Sequence, residues 1–205
     1  MTVSVSNVTA SKPGVGGAIS VAPTGTTLPT SSSATLDSSF VGLGYVSEDG
    51  VSVEITRDSE EIKAWGGDTV LTPQTGFAEK FKFKLIESLK DAVRKTAFGD
   101  SNVTGSLADG LTTKVNSSEL AAKSWVIDTI MNGAANRIVI PNGKVTEIGE
   151  IVYVDNEPVG YELTVTALPD SSGNCSYEYT VATASSSDDD DDDDEAEVTD
   201  TTTTG

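Results

Sequence analysis

Glu60 and Glu61 stand side by side in the stretch SEEIKAWGGDTV, residues 59–70. Apart from Glu48-Asp49 they are the one adjacent acid pair in residues 1–187. Two carboxylates in one cleft are the residue types of acid–base hydrolysis, where one stays protonated while its neighbour is ionised. They would have to carry such chemistry almost alone, because the chain has no His and its only cysteine is Cys175. That composition removes imidazole acid–base catalysis, Cys-His dyads, zinc sites with several Cys or His ligands, and any intramolecular disulfide framework. Neighbouring acids are also ordinary on solvated loops, so no catalytic residue is assigned.

The glycine-rich stretches fail as nucleotide sites for equally local reasons. Gly42-Leu43-Gly44 lacks the third glycine and the following helix of a dinucleotide fingerprint, and Gly14-Val15-Gly16-Gly17 lacks the Gly-Lys-Ser/Thr ending of a phosphate loop. Asp188 to Asp194 form an unbroken acidic run. A calcium loop needs spaced ligands, a turn glycine and a terminal bidentate acid, none of which a contiguous run provides. The run reads as a solvating tail, kept extended by self-repulsion over a Debye length of roughly 8 Å. Glycosylation-like triplets at Asn7, Asn102, Asn116 and Asn174 are what chance gives in a Ser/Thr-rich chain. The expectation is a protein that is not an enzyme, with no cofactor and no metal site.

Charge is lopsided over the 205 residues, with 32 acids against 13 bases and a formal net charge of −19. Residues 1–187 still carry 22 acids and all 13 bases, a net of −9. An acidic body holds nucleic acid poorly, since phosphates must be neutralised by Lys or Arg. The N-terminal MTVSVSNVTASKPG has neither a basic region nor an apolar run, which points to folding in a reducing cytoplasm without a membrane span.

The elements that must position any function are mostly strands. Residues 1–14 read as a flexible arm, GGAISVAP as a first strand, and residues 24–39 as a long loop of functional or partner-ordered type. FVGLGYVSEDGVSVEITR reads as two strands around a Glu48-Asp49-Gly50 turn. GFAEKFKFKLIE alternates most clearly, with Phe77, Phe81, Phe83 and Leu85 on one face and Lys80, Lys82 and Lys84 on the other. Antiparallel pairing with 51–57 would set those lysines near Glu54. SLKDAVRKTAFG predicts a helix over 88–99, capped by Ser88, closed by Gly99 and packed through Leu85, Leu89, Ala92, Val93, Thr96 and Ala97.

Strands are further expected in LTTKVNS, KSWVIDTIMN, RIVIPNGKVTEIGEIVYV, VGYELTVTALP and NCSYEYTVAT, with turns at Asn132-Gly133, Asp155–Pro158 and Asp170–Gly173. The fold class is α+β, mainly β: a two-sheet sandwich or partly closed barrel with one short flanking helix. The domain spans 15–183, and 184–205 is a disordered acidic and Thr-rich tail.

The order GYVSEDGVSVE, IKAWGGDTVLTPQTG, KFKLIESLKDAVRKTAFGDSNVTG, SWVIDTI, RIVIPNGKVTEIGEI and GYELTVTALPD resembles the major tail protein, or tail tube protein, of long flexible-tailed bacteriophages. It is similar to the versions of actinobacterial phages, over about residues 10–180. The resemblance implies hexameric rings stacked into a hollow tube with a β-sheet lining. The genome and the tape measure protein leave through that tube. It implies self-association, with the tape measure protein, a tail terminator and distal tail or baseplate proteins as partners. DNA would be in transit only, no membrane would be bound, and the product of assembly in the host cytoplasm would be a virion tail. Some relatives carry an added immunoglobulin-like domain where this chain has its acidic extension, so adhesion does not transfer.

In a tube, acids lining the lumen would repel the DNA backbone and let it slide. The lining is expected from Ser52, Glu54, Thr56, Lys80, Lys82 and Lys84, with the lysines in need of neutralising acids. The connection holding Glu60, Glu61, Ile62, Trp65, Gly66, Gly67 and Asp68 is expected, on the resemblance, to reach the adjacent ring, with Trp65 buried in a neighbouring subunit. The competing readings are a monomeric β-sandwich adhesion module with an acidic stalk, and a carboxylate hydrolase.

Overall fold

The computed structural model describes residues 3–14 and 16–182. The Asp188–Asp194 run and the tail over 184–205 lie outside the described residues. In chain order the strands are β1 (Ser11–Pro13), β2 (Ile19–Pro23), β3 (Val41–Gly42), β4 (Val46–Ser59), β5 (Ile62–Lys63), β6 (Thr69–Leu71) and β7 (Gln74–Leu85). After the helix α1 (Asp91–Phe98) come β8 (Val103–Thr104), β9 (Thr112–Thr113), β10 (Lys123–Met131), β11 (Ala134–Ile148), β12 (Tyr161–Ala167) and β13 (Tyr177–Ala182). The protein is mainly β with one α-helix among the described residues, as its alternating sequence requires.

One nine-stranded antiparallel sheet dominates, with the strand order β3-β2-β10-β11-β12-β7-β4, while β1 pairs β10 and β13 pairs β11. Its first and last members, β3 and β4, are separated in the chain only by Leu43–Tyr45. Leu43 N–H donates to Ile19 O at 2.8 Å on one side, and Tyr45 O accepts from Ile86 N–H at 3.1 Å on the other. The sheet therefore curls until its two ends meet through one segment, a partly closed barrel. The curl encloses Ile19, Leu43, Phe81, Leu85, Trp125, Ile127, Ile140, Leu163 and Val165, all at most 1 % exposed. Each buried aliphatic or Phe side chain of this kind is worth about 1.5–3 kcal/mol. Phe83 tilts against Trp125 at 5.9 Å between ring centroids, and Phe98 meets Tyr161 edge-on at 5.2 Å.

The β10–β11 hairpin turns at Asn132 and Gly133, whose φ values of 47° and 81° supply the left-handed pair that a tight two-residue turn needs. Beside it, Arg137 is buried, and its guanidinium bonds both carboxylate oxygens of Asp128 at 2.6 and 3.1 Å. The remaining donor reaches Ser31 O and Ala34 O, so the long 24–39 loop is tied to the sheet by its own carbonyls.

Several local expectations need correction. Glu48-Asp49-Gly50 is a bulge within β4 and not a hairpin turn, since Val46 opposes Leu85 and Val51 opposes Phe83 on the same partner strand. Gly50, at φ 70°, lets the extra residues loop out. In the arm over 1–14, Ser11–Pro13 pair with Thr129–Met131. The helix begins at Asp91 with Lys90 at its N-cap, because a turn closed by Lys90 N–H to Glu87 O occupies Ser88 and Leu89. Leu89 is consequently exposed, whereas Val93, Thr96 and Ala97 are buried and Gly99 caps the end at φ 97°. Val152–Val154 leave the sheet, because Ile148 opposite Leu163 is the last register pair between β11 and β12. In LTTKVNS only Thr112–Thr113 form a strand.

Candidate functional site

The sheet's most unusual part is the β4–β7 ribbon. The two strands pair from Val46 opposite Leu85 out to Ser59 opposite Gln74. β12 covers the other edge of β7 only from Leu85 to Glu79. Beyond Glu79 the ribbon is two-stranded and leaves its own core behind. Phe81 and Phe83 are buried, but on the same face Val53 and Ile55 of the terminal strand β4, and Phe77 beyond the end of β12, are 45 %, 57 % and 43 % exposed. Arg57 stacks over the Phe77 ring at 4.8 Å, where its guanidinium shields an otherwise bare aromatic face.

The ribbon continues into a small β5–β6 hairpin. Glu60 N–H donates to Pro73 O, Ala64 N–H to Asp68 O and Gly67 N–H to Ala64 O, which closes a tip over residues 64–68. Gly66 and Gly67 sit at φ 128° and 101°, values a side chain rarely tolerates. Of the seven residues expected at a subunit contact, Trp65, Gly66, Gly67 and Asp68 lie in this tip, and Glu60, Glu61 and Ile62 in the approach to it. Trp65 is fully exposed and touches nothing that would bury it, with Ile62, Val70 and Leu71 also exposed nearby in the chain. Glu61 accepts from Thr69 Oγ1 at 3.2 Å and lies 3.7 Å from Lys63 Nζ, an exposed surface pair and no acid dyad in a cleft.

The opposite, polar face is equally ordered. Glu54 lies across from Lys80 and Ser52 across from Lys82, while Thr56 opposes Ala78. On the other edge Lys80, Lys82 and Lys84 face Thr166, Thr164 and Glu162 of β12. Thr166 in turn faces Lys144 of β11. Lys82 Nζ bonds Glu162 at 2.9 Å, and that hydrogen bond together with the carboxylate's charge raises the lysine's pKa. Thr146 and Thr166 share a hydrogen bond at 2.9 Å. The six polar residues named from the sequence thus share one solvated sheet face of short hydroxyls, lysines and a minority of glutamates. Among the described residues no group of three or more His, Cys, Asp and Glu could hold a metal ion.

A ribbon with one apolar and one polar face, outgrowing the core that should cover it, is the geometry of a subunit built to be completed by others. The phage tail tube protein family model matches residues 3–186. The chain belongs to the phage tail tube protein family. No curated protein matches it. As a tail tube protein it is a structural component of a bacteriophage tail, in a family whose subunits assemble with one another into a tube. In this tail tube protein, sequence alternation alone puts Phe77 on the same face as the buried Phe81 and Phe83. The signals that alternation lacks are the length of β12, which stops before Phe77, and the position of β4 at the end of the strand order.

Proposed function

We propose that this tail tube protein closes into hexameric rings that stack helically into the hollow tube of a long flexible tail. The segments that resemble actinobacterial phage proteins point to that tail type. Through the tube the genome and the tape measure protein pass into the host during ejection. The observation that carries this reading is the reach of the β4–β7 ribbon and its tip, with Val53, Ile55, Phe77 and Trp65 left uncovered by their own chain. A cyclic ring needs two different, mutually complementary patches on each subunit, so an apolar arm and an acceptor surface elsewhere on the copy fit this symmetry. The Ser52, Glu54, Thr56, Lys80, Lys82 and Lys84 face lines the lumen, and the Glu60–Asp68 tip contacts the adjacent ring. The tape measure protein, the tail terminator and the distal tail proteins set the tube's length and ends, and assembly takes place in the host cytoplasm.

The test is electron microscopy after co-expression with the tape measure and tip proteins. Rings or tubes with sixfold symmetry are expected. Persistent monomers under those conditions would overturn the reading, whereas a monomer expressed alone is compatible with a polymer that waits for its nucleus.

A further inference from the structure

We infer that the cleft beside the β4 bulge of one copy receives the Trp65 turn of the next copy along the stack. This contact presupposes the stacked-ring reading and supplies the acceptor surface it requires. The cleft has a volume of about 730 Å³, and its lining includes Lys12, Gly16, Gly44, Tyr45, Gly50 and Glu87. Clefts of about 300–1,000 Å³ enclose drug-sized ligands, so an indole and part of its turn fit. The bulge makes the room, because the five steps from Val46 to Val51 on β4 lie against only two, Leu85 to Phe83, on β7. A Cβ added at Gly16 or Gly50 would meet no atom within 4 Å, so open space lies directly against bare backbone there. At Gly44 a Cβ would instead strike the Glu87 carboxylate, which the Tyr45 N–H holds in place at 2.9 Å. The Tyr45 ring itself is 73 % exposed and offers a second aromatic face at the edge of the cleft.

The Trp65 turn does not reach the cleft of its own chain. β4 borders the cleft at its Val46 end and leads to the turn from its Ser59 end, and the paired strand β7 spans about 35 Å between Leu85 and Gln74. A projection and a recess at opposite ends of one ribbon meet when copies are displaced along it. That is a head-to-tail contact, the kind that builds an open stack.

Charge fits in both directions. Among the described residues Lys12 at the cleft forms no ion pair, and neither do Glu60 and Asp68 beside the turn. Glu48 and Asp49 of the bulge are likewise uncommitted, while Lys63 near the turn has only the 3.7 Å contact with Glu61. Lys12 can therefore face the acids of the turn while Lys63 faces those of the bulge. A second cleft of about 430 Å³, between Phe98 and Ile148, fits less well, because its lysine, Lys144, is already paired with Glu119.

The test puts a benzophenone photo-crosslinking amino acid at position 65 in a minor fraction of full-length chains mixed with wild type. Polymer nucleated by the tape measure and distal tail proteins is irradiated, and electron microscopy scores tubes in the same samples. Links from position 65 to residues 11–18 or 44–51 of another copy are expected in polymer and not in unassembled chain. A charge exchange reads the same contact without a probe. Lys12→Glu and Asp68→Lys should each raise the concentration needed for polymerisation at least about threefold, and the double variant should recover most of that loss. Both residues are exposed, so every variant should keep the wild-type urea midpoint. Tubes whose links fall on the Phe98–Ile148 cleft or on the tape measure or distal tail proteins would overturn the contact and leave the tube standing. Probe-bearing tubes without links, or a double variant no better than the single ones, would do the same. Wild-type chains that form no tubes when nucleated would overturn the tube reading, and this contact with it.

Discussion

The Trp125 indole N–H donates to the carbonyl of Gly143 at 3.0 Å, and the same glycine leaves the space in which the indole lies. A Cβ at position 143 would come within 2.6 Å of Trp125 Cδ1 and 2.9 Å of Val165 Cγ1. Trp125 is 1 % exposed and Val165 fully buried, so neither can step aside into solvent. Gly143→Ala should therefore destabilise the chain by about 1–3 kcal/mol, the ordinary cost of overpacking a close-packed core. Urea unfolding followed by tryptophan fluorescence checks this, and an unchanged midpoint would show that the sheet yields more easily than argued.

Arg137 ties its own hairpin, through Asp128 on β10, to a segment distant in sequence, the carbonyls of Ser31 and Ala34. Arg137→Met removes the charge and all four bonds while keeping much of the stem's volume. A buried pair broken from one side costs about 3–5 kcal/mol, and the lower end applies because the Asp128 side chain is 29 % exposed and can rehydrate. Hydrogen exchange should show lost protection at the Ala34 amide, which Ser31 Oγ accepts at 3.1 Å, before any loss in β7. Equal loss in both regions would mean that Arg137 supports the whole sheet and has no special hold on the loop.

The pairing of β4 with β7 was legible because a one-residue slip would turn Phe81, Phe83 and Leu85 into water, and strict alternation forbids that. What alternation does not carry is where a third strand stops. Phe77 shows the same pattern as Phe83, yet β12 reaches only Glu79 and leaves it bare, while Val53, opposite the buried Phe81, is exposed on the terminal strand β4. Asp49-Gly50 was ambiguous for a related reason. A tight turn and a bulge both need a positive φ, and only the shared partner β7 separates them. The tip loop was visible from Gly66-Gly67 because that signal is purely local.

Asp170 and Tyr177 make stability depend on pH from both sides. The Tyr177 O–H at 2.6 Å, followed by the Asn174 and Ser172 backbone N–H groups, holds the Asp170 carboxyl below its ordinary value. The same bond to Asp170 pushes the Tyr177 phenol above its ordinary value. A lowered acid contributes stability above its unfolded pKa and loses it as pH falls through the folded one. A raised phenol contributes below its unfolded pKa and loses it as pH rises through the folded one. Thermal melts from about pH 3 to about pH 11 should therefore fall at both ends. Tyr177→Phe should lose the phenol's share of the alkaline fall and move the acid fall to higher pH. A variant whose whole profile stayed parallel to the wild type would show the bond to be unimportant.

Trp65 separates folding from assembly more sharply than any other residue of the arm. Its side chain is fully exposed in the single chain, so truncation removes no intramolecular packing. Trp65→Ala should change subunit stability by no more than about 0.5 kcal/mol, the usual range for surface substitutions. If the indole is buried in a neighbouring copy, each contact loses at least about 1.5–3 kcal/mol. At about 1.4 kcal/mol per factor of ten, the concentration needed for polymerisation rises by about ten- to a hundredfold. Trp65→Phe should recover part of that loss, because an aromatic face remains. Sedimentation of nucleated polymer across a concentration series reads all three variants on one scale. Wild-type assembly by Trp65→Ala would place the inter-ring contact on another part of the arm, with Ile55 and Phe77 next in line.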